Sequence, residues 1–438
     1  MASNIIWYNM VVMLRVFDNL KKQYISHSLK KTIGIYVCGP TVYDHCHVGH
    51  GRSLLVFDVL HRLTSAFTEV LFVQNITDVN EKIIKKAREM SMSPEQVADI
   101  YTQSFFNIRA LLNIKLPTFT PKVSDFLREI MQYIQILINK KHAYITSRGV
   151  YFNRDSIPIG GFFEKRCETL SRIEVDEEKK NQEDFALWKF DLDGFESPWG
   201  SGYPGWHIEC SAMSLQHLGS QFTIHGGGTD LQFPHHENEI LQSLGANNCI
   251  PAEIWMHNAM ITVQDEKMSK SLGNFQYLHE LVTNKYKADV FRYYILSSHY
   301  AKDMNFTMEG WEQAEKSLLR LRHFYFRNKD LIDQIEDMDH QYLLDLQNDL
   351  NTPLALQTLF GCVKNNNLVG FKTLISVLGF KFDINTDLSE KLIEQHINFR
   401  SQYKKEGNFE QADQIRQFLL SKFIELVDTG QETIWYYV

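Results

Sequence analysis

Hydrophobic and polar positions near the start of the chain follow a strand, helix and strand pattern. A β-branched and aromatic run at 32–37 predicts a strand that ends in a polar loop. Apolar residues from Leu54 to Leu63 recur at helical spacing, and an apolar run at 70–75 predicts the next strand. A strand, a helix and a second strand in this order predict a βαβ unit and therefore a parallel sheet.

The pattern changes twice further along the chain. Helical periods and a short strand pattern fill 116–200, and strand-like runs return at 222–225 and 254–263. An inserted segment that splits an α/β core explains this order. From 312 onward leucine-rich helical periods dominate, while proline and glycine are sparse. The predicted fold class is α/β, with a parallel-sheet core split by an insertion and followed by an α-helical C-terminal region.

Composition narrows the class of protein without identifying it. The 438 residues are 44% hydrophobic and 22% charged, which is typical of a folded protein rather than a disordered or fibrous one. The net charge of −8 predicts no general attraction to polyanions, although it is compatible with one basic face. The first residues lack the features of a targeting signal, and their apolar stretch is too short to span a bilayer.

Six scattered cysteines do not form a disulfide scaffold and indicate a reducing cytoplasm: Cys38, Cys46, Cys167, Cys210, Cys249 and Cys362.

The tetrapeptide His47-Val-Gly-His50 lies between the first predicted strand and its helix. The N-terminus of a helix binds phosphate through its unpaired N–H groups, and Gly49 would let a flat base approach the backbone. The position therefore suits a nucleotide. For the tetrapeptide alone, an ordinary polar turn is the simpler explanation, because short motifs often match by chance.

The pentapeptide Lys267-Met-Ser-Lys-Ser271 follows a predicted strand much further along the chain. Two lysines and two hydroxyl groups on a loop suit the charge that develops on phosphates when a nucleotide is cleaved to pyrophosphate. A solvated polar loop is the alternative. Its position after the histidine motif favours the nucleotide interpretation.

Together the two motifs resemble the paired signatures of class I aminoacyl-tRNA synthetases. Further strings, spread between 13 and 435, narrow the resemblance to cysteinyl-tRNA synthetases. The most specific of them are Cys38-Gly-Pro-Thr-Val-Tyr-Asp44, Asn75-Ile-Thr-Asp78, Phe185-Ala-Leu-Trp-Lys189, Pro204-Gly-Trp-His-Ile-Glu-Cys210, His225-Gly-Gly-Gly-Thr-Asp230 and Phe233-Pro-His-His-Glu-Asn-Glu239.

This resemblance implies an enzyme that activates L-cysteine with ATP and Mg²⁺ and transfers it to tRNA(Cys). The implied form is a cytoplasmic monomer with no membrane contact. The implied catalytic residues are His47, His50, Lys267 and Lys270. ATP would be bound by the same four residues together with Gly49, Asp230 and Ser269. The amino acid would be bound by Thr77, Trp206, His225 and Asp230.

The resemblance also implies a division of the chain into parts. A Rossmann-type catalytic core would occupy 13–115 and 201–264, with a connective insertion at 116–200 between its halves. The lysine-containing loop and a stem-contact region would occupy 265–315, a helical bundle 316–395, and an anticodon-binding module 396–438.

Four residues carry the prediction of a metal site. Pro234 suits the first turn of a helix, which would place His235 and Glu239 on one face. With Cys38 and Cys210 they offer thiolate, imidazole and carboxylate ligands that suit zinc. From the residues alone, inert buried thiols and a solvated helix face remain an open alternative. The resemblance implies one Zn²⁺ that binds the thiolate of the substrate cysteine.

A zinc protease is disfavoured for the same segment. The His-Glu-x-x-His motif requires a second histidine at the position that follows two variable residues. Here position 239 is glutamate and position 240 is isoleucine.

The C-terminal region carries the predicted tRNA contacts. Asp413 and Asp428 resemble acidic positions that accept hydrogen bonds from anticodon bases, and Phe409 would stack on a base. Lys404 stands where an arginine is common in the family, which leaves a bidentate contact to a base in doubt. The alternative interpretation is that these acidic residues are solvated on an amphipathic helix and contact no RNA.

Two other functions remain to be weighed against this one. A relative could activate cysteine and pass it to an amine on a small molecule such as an amino sugar, but a full anticodon module argues against this. A non-catalytic paralogue could bind tRNA or zinc for regulation. The intact signatures and the intact ligand set argue against such a loss of catalytic activity. Cysteine-dependent ATP–pyrophosphate exchange separates the enzymes from the paralogue.

Overall fold

The computed structural model describes residues 12–29, 31–163, 177–263, 276–382, 388–428 and 433–437. Its strands are β1 (Met13–Asp18), β2 (Gln23–Ser28), β3 (Ile33–Val37), β4 (Val70–Gln74), β5 (Ala143–Ile145), β6 (Gly149–Phe152), β7 (Phe185–Phe195), β8 (Gly202–Pro204), β9 (Phe222–Gly228), β10 (Ala252–Asn258), β11 (Ile261–Val263), β12 (Met304–Phe306), β13 (Ile424–Asp428) and β14 (Thr433–Tyr437).

The described helices span Val48–Ser65, Glu81–Met90, Pro94–Leu111, Leu127–Asn139, Trp206–Leu218, Glu237–Asn247, Leu278–Leu281, Lys285–Leu296, Met308–Arg327, Lys329–Asp333, Leu344–Gln347, Thr352–Lys364, Leu368–Leu378, Glu390–Lys405 and Phe409–Ser421. Short 3-10 turns occur at Val123–Phe126, Arg154–Ser156, Thr229–Leu231 and His340–Leu343, and a wider turn at Gln232–His236. Within the described ranges, no helix is both long and apolar enough to cross a membrane.

Four parallel strands form the central sheet in the order β10-β9-β3-β4. The helix Val48–Ser65 connects β3 to β4, as the strand, helix and strand pattern predicts. Helices pack on both faces of such a sheet, so its strands are almost continuously apolar. In β3 the side chains of Ile33, Ile35, Tyr36 and Val37 have no exposed surface. The predicted parallel α/β core is confirmed.

The strand order places a functional crevice between β3 and β9. From β3 the chain moves outward to β4 on one side, and it later returns to the other side of β3 to form β9. Ligands of open α/β sheets bind where the chain reverses in this way, outside the carboxyl ends of the strands. A Cβ atom on Gly39, just after β3, would lie 1.6 Å from the carbonyl oxygen of Asn75, just after β4. Only glycine lets these two loops meet.

An inserted segment lies between β4 and β9 of the core sheet, as predicted. It contains the helix Leu127–Asn139 and an antiparallel sheet in the order β5-β6-β7-β8. The helix Trp206–Leu218 then returns the chain to the core sheet, where it contacts the helices Leu127–Asn139 and Glu237–Asn247. The return brings the residues after β8 to the crevice.

The C-terminal region is helical, as predicted, and a buried ion pair joins it to the core. The Asp58 carboxylate accepts hydrogen bonds from Nε of Arg62 at 3.0 Å and from a guanidinium nitrogen of Arg292 at 2.7 Å. Arg292 also donates to the carbonyl of Leu378, the last residue of the helix Leu368–Leu378. Paired and fully hydrogen-bonded charges of this kind can be buried without leaving a group unsatisfied.

Candidate active site

A cavity of about 650 Å³ opens at the carboxyl ends of the core strands. It lies at the crevice that the strand order creates, where a ligand of an α/β sheet is expected. The sequence-predicted residues that line it are Cys38, His47, Gly49, His50, Thr77, Trp206, Cys210, Asp230 and His235.

The two signature histidines cap the helix Val48–Ser65. Nδ1 of His47 accepts a hydrogen bond from the backbone N–H of Gly49 at 3.1 Å, and Nδ1 of His50 accepts one from the N–H of His47 at 3.3 Å. Because both Nδ1 atoms are acceptors, each neutral ring carries its proton on Nε2. The ring centroids are 3.9 Å apart.

Burial keeps the second of these rings neutral. It lowers the pKa of His50 to about 4, although the carboxylates of Asp230 and Asp44 oppose the shift. A neutral imidazole at the N-terminus of a helix can donate from Nε2 without adding a full charge to the partial positive charge of the helix end. This geometry suits hydrogen bonding to a phosphate group.

The four predicted metal ligands come together beside the cavity. The ligand atoms of Cys38, Cys210, His235 and Glu239 all lie within 4.8 Å of one another. The two Sγ atoms are 3.9 Å apart, and Nε2 of His235 lies 3.1 Å from Oε1 of Glu239. Four donors at this spacing can surround one metal ion.

The local backbone around His235 differs from the sequence-based expectation. Pro234 lies in the wider turn Gln232–His236, and the regular helix begins only at Glu237. Phe233 is extended, with φ −133° and ψ 133°, which interrupts the helical path. His235 and Glu239 nevertheless face each other.

A second set of possible ligands overlaps the first. Cys38, His225, His236 and Glu239 also have ligand atoms within 4.8 Å of one another. Nε2 of His236 lies 3.4 Å from Sγ of Cys38, and Nε2 of His225 lies 2.8 Å from Oε2 of Glu239. Sequence reasoning missed His236, and its only available signal was its position beside His235.

The electrostatics of the cluster disfavour both thiolates unless a cation is bound. Burial, followed by the hydrogen bond to Cys210, raises the pKa of Cys38 well above the ordinary thiol value. The hydrogen bond from Cys38 favours the Cys210 thiolate, but burial and the Glu239 carboxylate raise its pKa overall. Thiols ligate metals only as thiolates, so a cation must displace their protons. Two thiols, an imidazole and a carboxylate are a donor set that fits zinc.

Outer hydrogen bonds hold the histidines of the cluster in place. Nδ1 of His235 lies 2.9 Å from Nδ1 of His207, and Nδ1 of His236 lies 2.8 Å from Nε2 of His257. Such partners fix the tautomer and the orientation of metal-binding imidazoles. Burial lowers the pKa of both outer rings, His207 and His257, to about 3, so they stay neutral.

The predicted substrate residues lie at different depths. Trp206 borders the cavity and stacks on the His235 ring with centroids 4.4 Å apart. Thr77 and Asp230 also border the cavity. His225 has no exposed surface and lies behind Glu239, stacked on Trp255 with centroids 4.6 Å apart. Its imidazole therefore contacts the ligand set rather than the cavity wall.

The second signature, with Lys267, Ser269 and Lys270, lies outside the described residues. The segment that follows it packs against the first signature. The backbone N–H of Val48 donates to the carbonyl of Gln276 at 3.2 Å, and the N–H of Leu278 donates to the carbonyl of Cys46 at 2.8 Å. The described chain therefore resumes at Gln276 beside the capped helix.

The predicted anticodon residues lie in the helix Phe409–Ser421 and in β13, and none of them lines the cavity. Phe409 is 66% exposed, and Asp413 is also exposed. Asp428 accepts two hydrogen bonds of 2.8 Å from the Arg400 guanidinium and one of 2.8 Å from Lys404. These cations, Arg400 first, hold the pKa of Asp428 far below its usual range. A base that used this carboxylate would have to share it with Arg400.

Comparisons with known proteins identify the family of this chain. The family described as the tRNA synthetases class I (C) catalytic domain matches residues 24–316. A cysteine–tRNA ligase of Legionella pneumophila is 42% identical over 97% of this chain and 99% of its own length. A cysteine–tRNA ligase of Archaeoglobus fulgidus is 38% identical over 92% of this chain and 95% of its own.

The fold is shared with more distant solved structures. A Mycobacterium tuberculosis methionyl-tRNA synthetase in complex with methionyl-adenylate has a TM-score of 0.58. It is 13% identical in sequence and covers 80% of this chain and 89% of its own, so this likeness concerns the fold alone. The match of the catalytic family and the near full-length relatives go further. The chain therefore belongs to the cysteine–tRNA ligase family of class I aminoacyl-tRNA synthetases.

Proposed function

We propose that this protein is a cysteine–tRNA ligase, which forms cysteinyl-adenylate from L-cysteine and ATP and then transfers cysteine to tRNA(Cys). One observation carries the proposal: the four possible metal ligands adjoin the same cavity as the capped helix of His47 and His50. These ligands are Cys38, Cys210, His235 and Glu239. A site for a thiolate and a site for phosphate therefore open into one space.

In the first step the α-carboxylate of cysteine attacks the α-phosphorus of ATP, and pyrophosphate leaves. The protein needs no nucleophile of its own for this reaction, so catalysis consists of positioning and charge stabilisation. His47 and His50 donate from Nε2 to the phosphates, and Lys267 and Lys270 stabilise the departing pyrophosphate. A ribose hydroxyl at the 3′ end of the tRNA then attacks the adenylate, and AMP leaves.

The donor set of Cys38, Cys210, His235 and Glu239 would hold Zn²⁺. When bound, the ion supplies a soft, positively charged partner for the thiolate of the substrate. The surrounding protein orients the imidazole through His207 and stacks Trp206 on its ring. These contacts support a site whose ligands are held before the metal arrives.

Cysteine-dependent ATP–pyrophosphate exchange by the purified, zinc-loaded protein tests the proposal. Exchange with cysteine, followed by esterification of tRNA(Cys), is the expected result. Exchange without charging of any tRNA would favour transfer to a small amine instead. Absence of exchange with every amino acid would favour a non-catalytic, tRNA- or zinc-binding role.

Replacing Lys270 with alanine tests the proposed role of the second signature. We expect adenylate formation to slow by about 10²-fold, the scale for the loss of one preorganised charge-stabilising group. Binding of cysteine should not change, because the lysine acts on phosphates. Exchange kinetics measure the rate and calorimetry measures the binding, with Lys391→Ala on the exposed helix Glu390–Lys405 as a control. An unchanged exchange rate would remove Lys270 from catalysis.

The division into parts predicted from the sequence belongs to the same proposal. A small separate hydrophobic core is formed by Ile393, Leu419, Ile424 and Leu426. It supports a separate module near the proposed bounds of 396–438, although the helix Glu390–Lys405, which carries Ile393, begins before 396. Asp413, Asp428 and Phe409 would read the anticodon from this module. Mg²⁺ would accompany ATP.

We also propose that the enzyme works as a monomer in the cytoplasm. Support for the compartment comes from the five cysteines in the described part of the chain, which are all free thiols. A reducing compartment keeps such thiols available for a metal.

A further inference from the structure

Arg52 is a buried arginine on the helix that carries the first signature. It follows His50 by two residues in the helix Val48–Ser65 and is 1% exposed, and it is not among the described residues that line the catalytic cavity. Burial lowers the pKa of Arg52 to about 10, although the carboxylate of Asp303 opposes the shift. The guanidinium therefore stays charged at neutral pH, and a buried charge requires hydrogen-bond partners.

The partners of this charge are backbone carbonyls from two separate segments of the chain. One terminal nitrogen, Nη1, donates to the carbonyl of Met260 at 2.5 Å. The other, Nη2, shares its protons among the carbonyls of His299 and Tyr300, each at 3.3 Å, and the carbonyl of Lys302. The rigid fork of an arginine can bond to both segments at once, whereas the ammonium group of a lysine is a single point charge.

The first of these segments forms a wall of the catalytic cavity. Residues 258–261 line the cavity, as do residues 47, 49 and 50 at the start of the capped helix. The N–H of Met260 donates to the carboxylate of Asp303 at 3.1 Å, and its carbonyl also accepts from the N–H of Met304 at 3.1 Å. Residues next to and in β12 therefore hold this wall from one side, and Arg52 holds it from the capped helix.

We propose that Arg52 is a positioning residue for nucleotide binding, which holds the wall 258–261 at the separation from the capped helix that ATP requires. It acts through the carbonyl of Met260 and does not touch the nucleotide. The inference rests on the proposed function, because it requires the phosphates of ATP at His47 and His50. Displacement of a substrate-positioning group by 1 Å can cost about 10²-fold in rate, so the position of this wall matters.

The amino-acid side of the cavity provides an internal reference. The four possible metal ligands lie after β3, in the helix Trp206–Leu218, in the wider turn Gln232–His236 and in the helix Glu237–Asn247. Among the described contacts, the hydrogen bonds of Arg52 go to none of these segments. Loss of these hydrogen bonds should therefore weaken the binding of the nucleotide and leave the binding of cysteine unchanged.

Replacing Arg52 with lysine tests the inference while keeping the buried charge. The probe is α,β-methylene-ATP, an ATP analogue whose bridge between the α- and β-phosphorus cannot be cleaved. We expect it to bind about 10-fold more weakly, the scale for the loss of one hydrogen bond to a charged group. The KM for ATP in pyrophosphate exchange should rise by a similar factor, and the KM for cysteine should not change. Calorimetry and exchange kinetics on the zinc-loaded protein measure these quantities.

Arg292→Lys is the matched control. Arg292 is also 1% exposed and also donates to backbone carbonyls, those of Leu112 and Leu378, but it joins the core to the C-terminal region. This variant should leave both KM values unchanged. All proteins are compared below the lowest melting temperature of the set, so that a general loss of stability does not enter the comparison.

Asp303→Ala tests the same wall from its other side. Asp303 is exposed, so its removal does not endanger the fold, and the N–H of Met260 loses its carboxylate partner. We expect α,β-methylene-ATP to bind about 2- to 10-fold more weakly, the scale of a single ordinary hydrogen bond. The KM for cysteine should again stay unchanged. If Arg52→Lys does not fold, this variant decides the question, and unchanged binding of the analogue would overturn the inference.

Three results with a folded Arg52→Lys protein would also overturn the inference. They are unchanged binding of α,β-methylene-ATP, an equal rise of the KM values for ATP and cysteine, and a selective rise of the KM for cysteine. If the wild type binds no α,β-methylene-ATP, the proposed function itself fails. If the wild type binds the analogue and every variant binds it equally well, only the present inference fails.

Discussion

Replacing Cys210 with serine is expected to remove the bound zinc and to slow cysteine activation by about 10²- to 10³-fold, the scale for the loss of a preorganised electrostatic partner. Zinc prefers sulfur ligands, and a serine hydroxyl must ionise at a far greater cost than a thiol. The fold should persist, because Cys210 is 3% exposed on the long helix Trp206–Leu218 and the replacement is nearly isosteric.

Metal analysis of the purified protein and exchange kinetics measure this effect. Cys362→Ser is the matched control, because Cys362 is also buried, at 4% exposure, but lies in the helix Thr352–Lys364 and outside both ligand sets. This control should retain zinc and full activity. A wild type without stoichiometric zinc would contradict the prediction, as would a Cys210→Ser protein that activates cysteine normally.

The same experiment bears on how the enzyme would reject serine. Serine differs from cysteine by one atom, and pockets that sort such near-isosteres by shape alone reach only about 10- to 200-fold discrimination. A metal that prefers sulfur supplies the remaining discrimination against serine without an editing site. Exchange with serine should therefore approach exchange with cysteine as zinc is stripped. Full cysteine selectivity in the metal-free protein would overturn this selection mechanism.

Much of the core fold could be predicted from the sequence because its signals are local. The apolar run at 32–37 and the helical spacing between Leu54 and Leu63 depend on neighbours a few residues apart, and they identify β3 and the helix that follows it. The break and return of the strand pattern likewise predicted the insertion. The exact start of the helix near Pro234 was harder, because the extended backbone of Phe233 leaves no periodic signal.

The site was predictable only where chemistry-bearing residues stand in specific strings. Cys38, Cys210, His235 and Glu239 come from three distant segments, so no spacing rule brings them together, and their grouping came from the family resemblance. The resemblance did not reveal that His236 and His225 form a second possible set around Cys38 and Glu239. Side-chain convergence of this kind depends on how the strands and helices pack, and the linear pattern does not contain it.

The hydrogen-bond partners of Asn75 and Asp428 also could not be predicted from the sequence. Asn75 stands at the end of a predicted strand, but its hydrogen bonds to Gly39 and Thr77 require β3 and β4 to be adjacent. Asp428 matches an acidic position of the family, yet its carboxylate is engaged by Arg400. A position in sequence identifies a candidate, and only the packed structure identifies its competing partner.

A chain that ends before Glu390 is expected to activate cysteine at the normal rate but to lose at least about 10³-fold in tRNA charging. That factor is the scale by which sequence-specific binding of nucleic acids exceeds non-specific binding. The removed segment carries Phe409, Asp413 and Asp428. It has its own small core, and its contacts with the rest of the protein include rings such as Phe326 and Tyr437, with centroids 5.5 Å apart.

Pyrophosphate exchange and tRNA charging, measured on the same preparation, separate the two activities. Exchange by the shortened chain shows that the catalytic core has folded, so a loss of charging alone can be assigned to the missing segment. The full-length double variant Phe409→Ala and Asp413→Ala provides an independent test, because both side chains are exposed and their removal leaves the small core intact. It should raise the KM for tRNA and leave that for cysteine unchanged. Normal charging by both proteins would show that this segment does not read the anticodon.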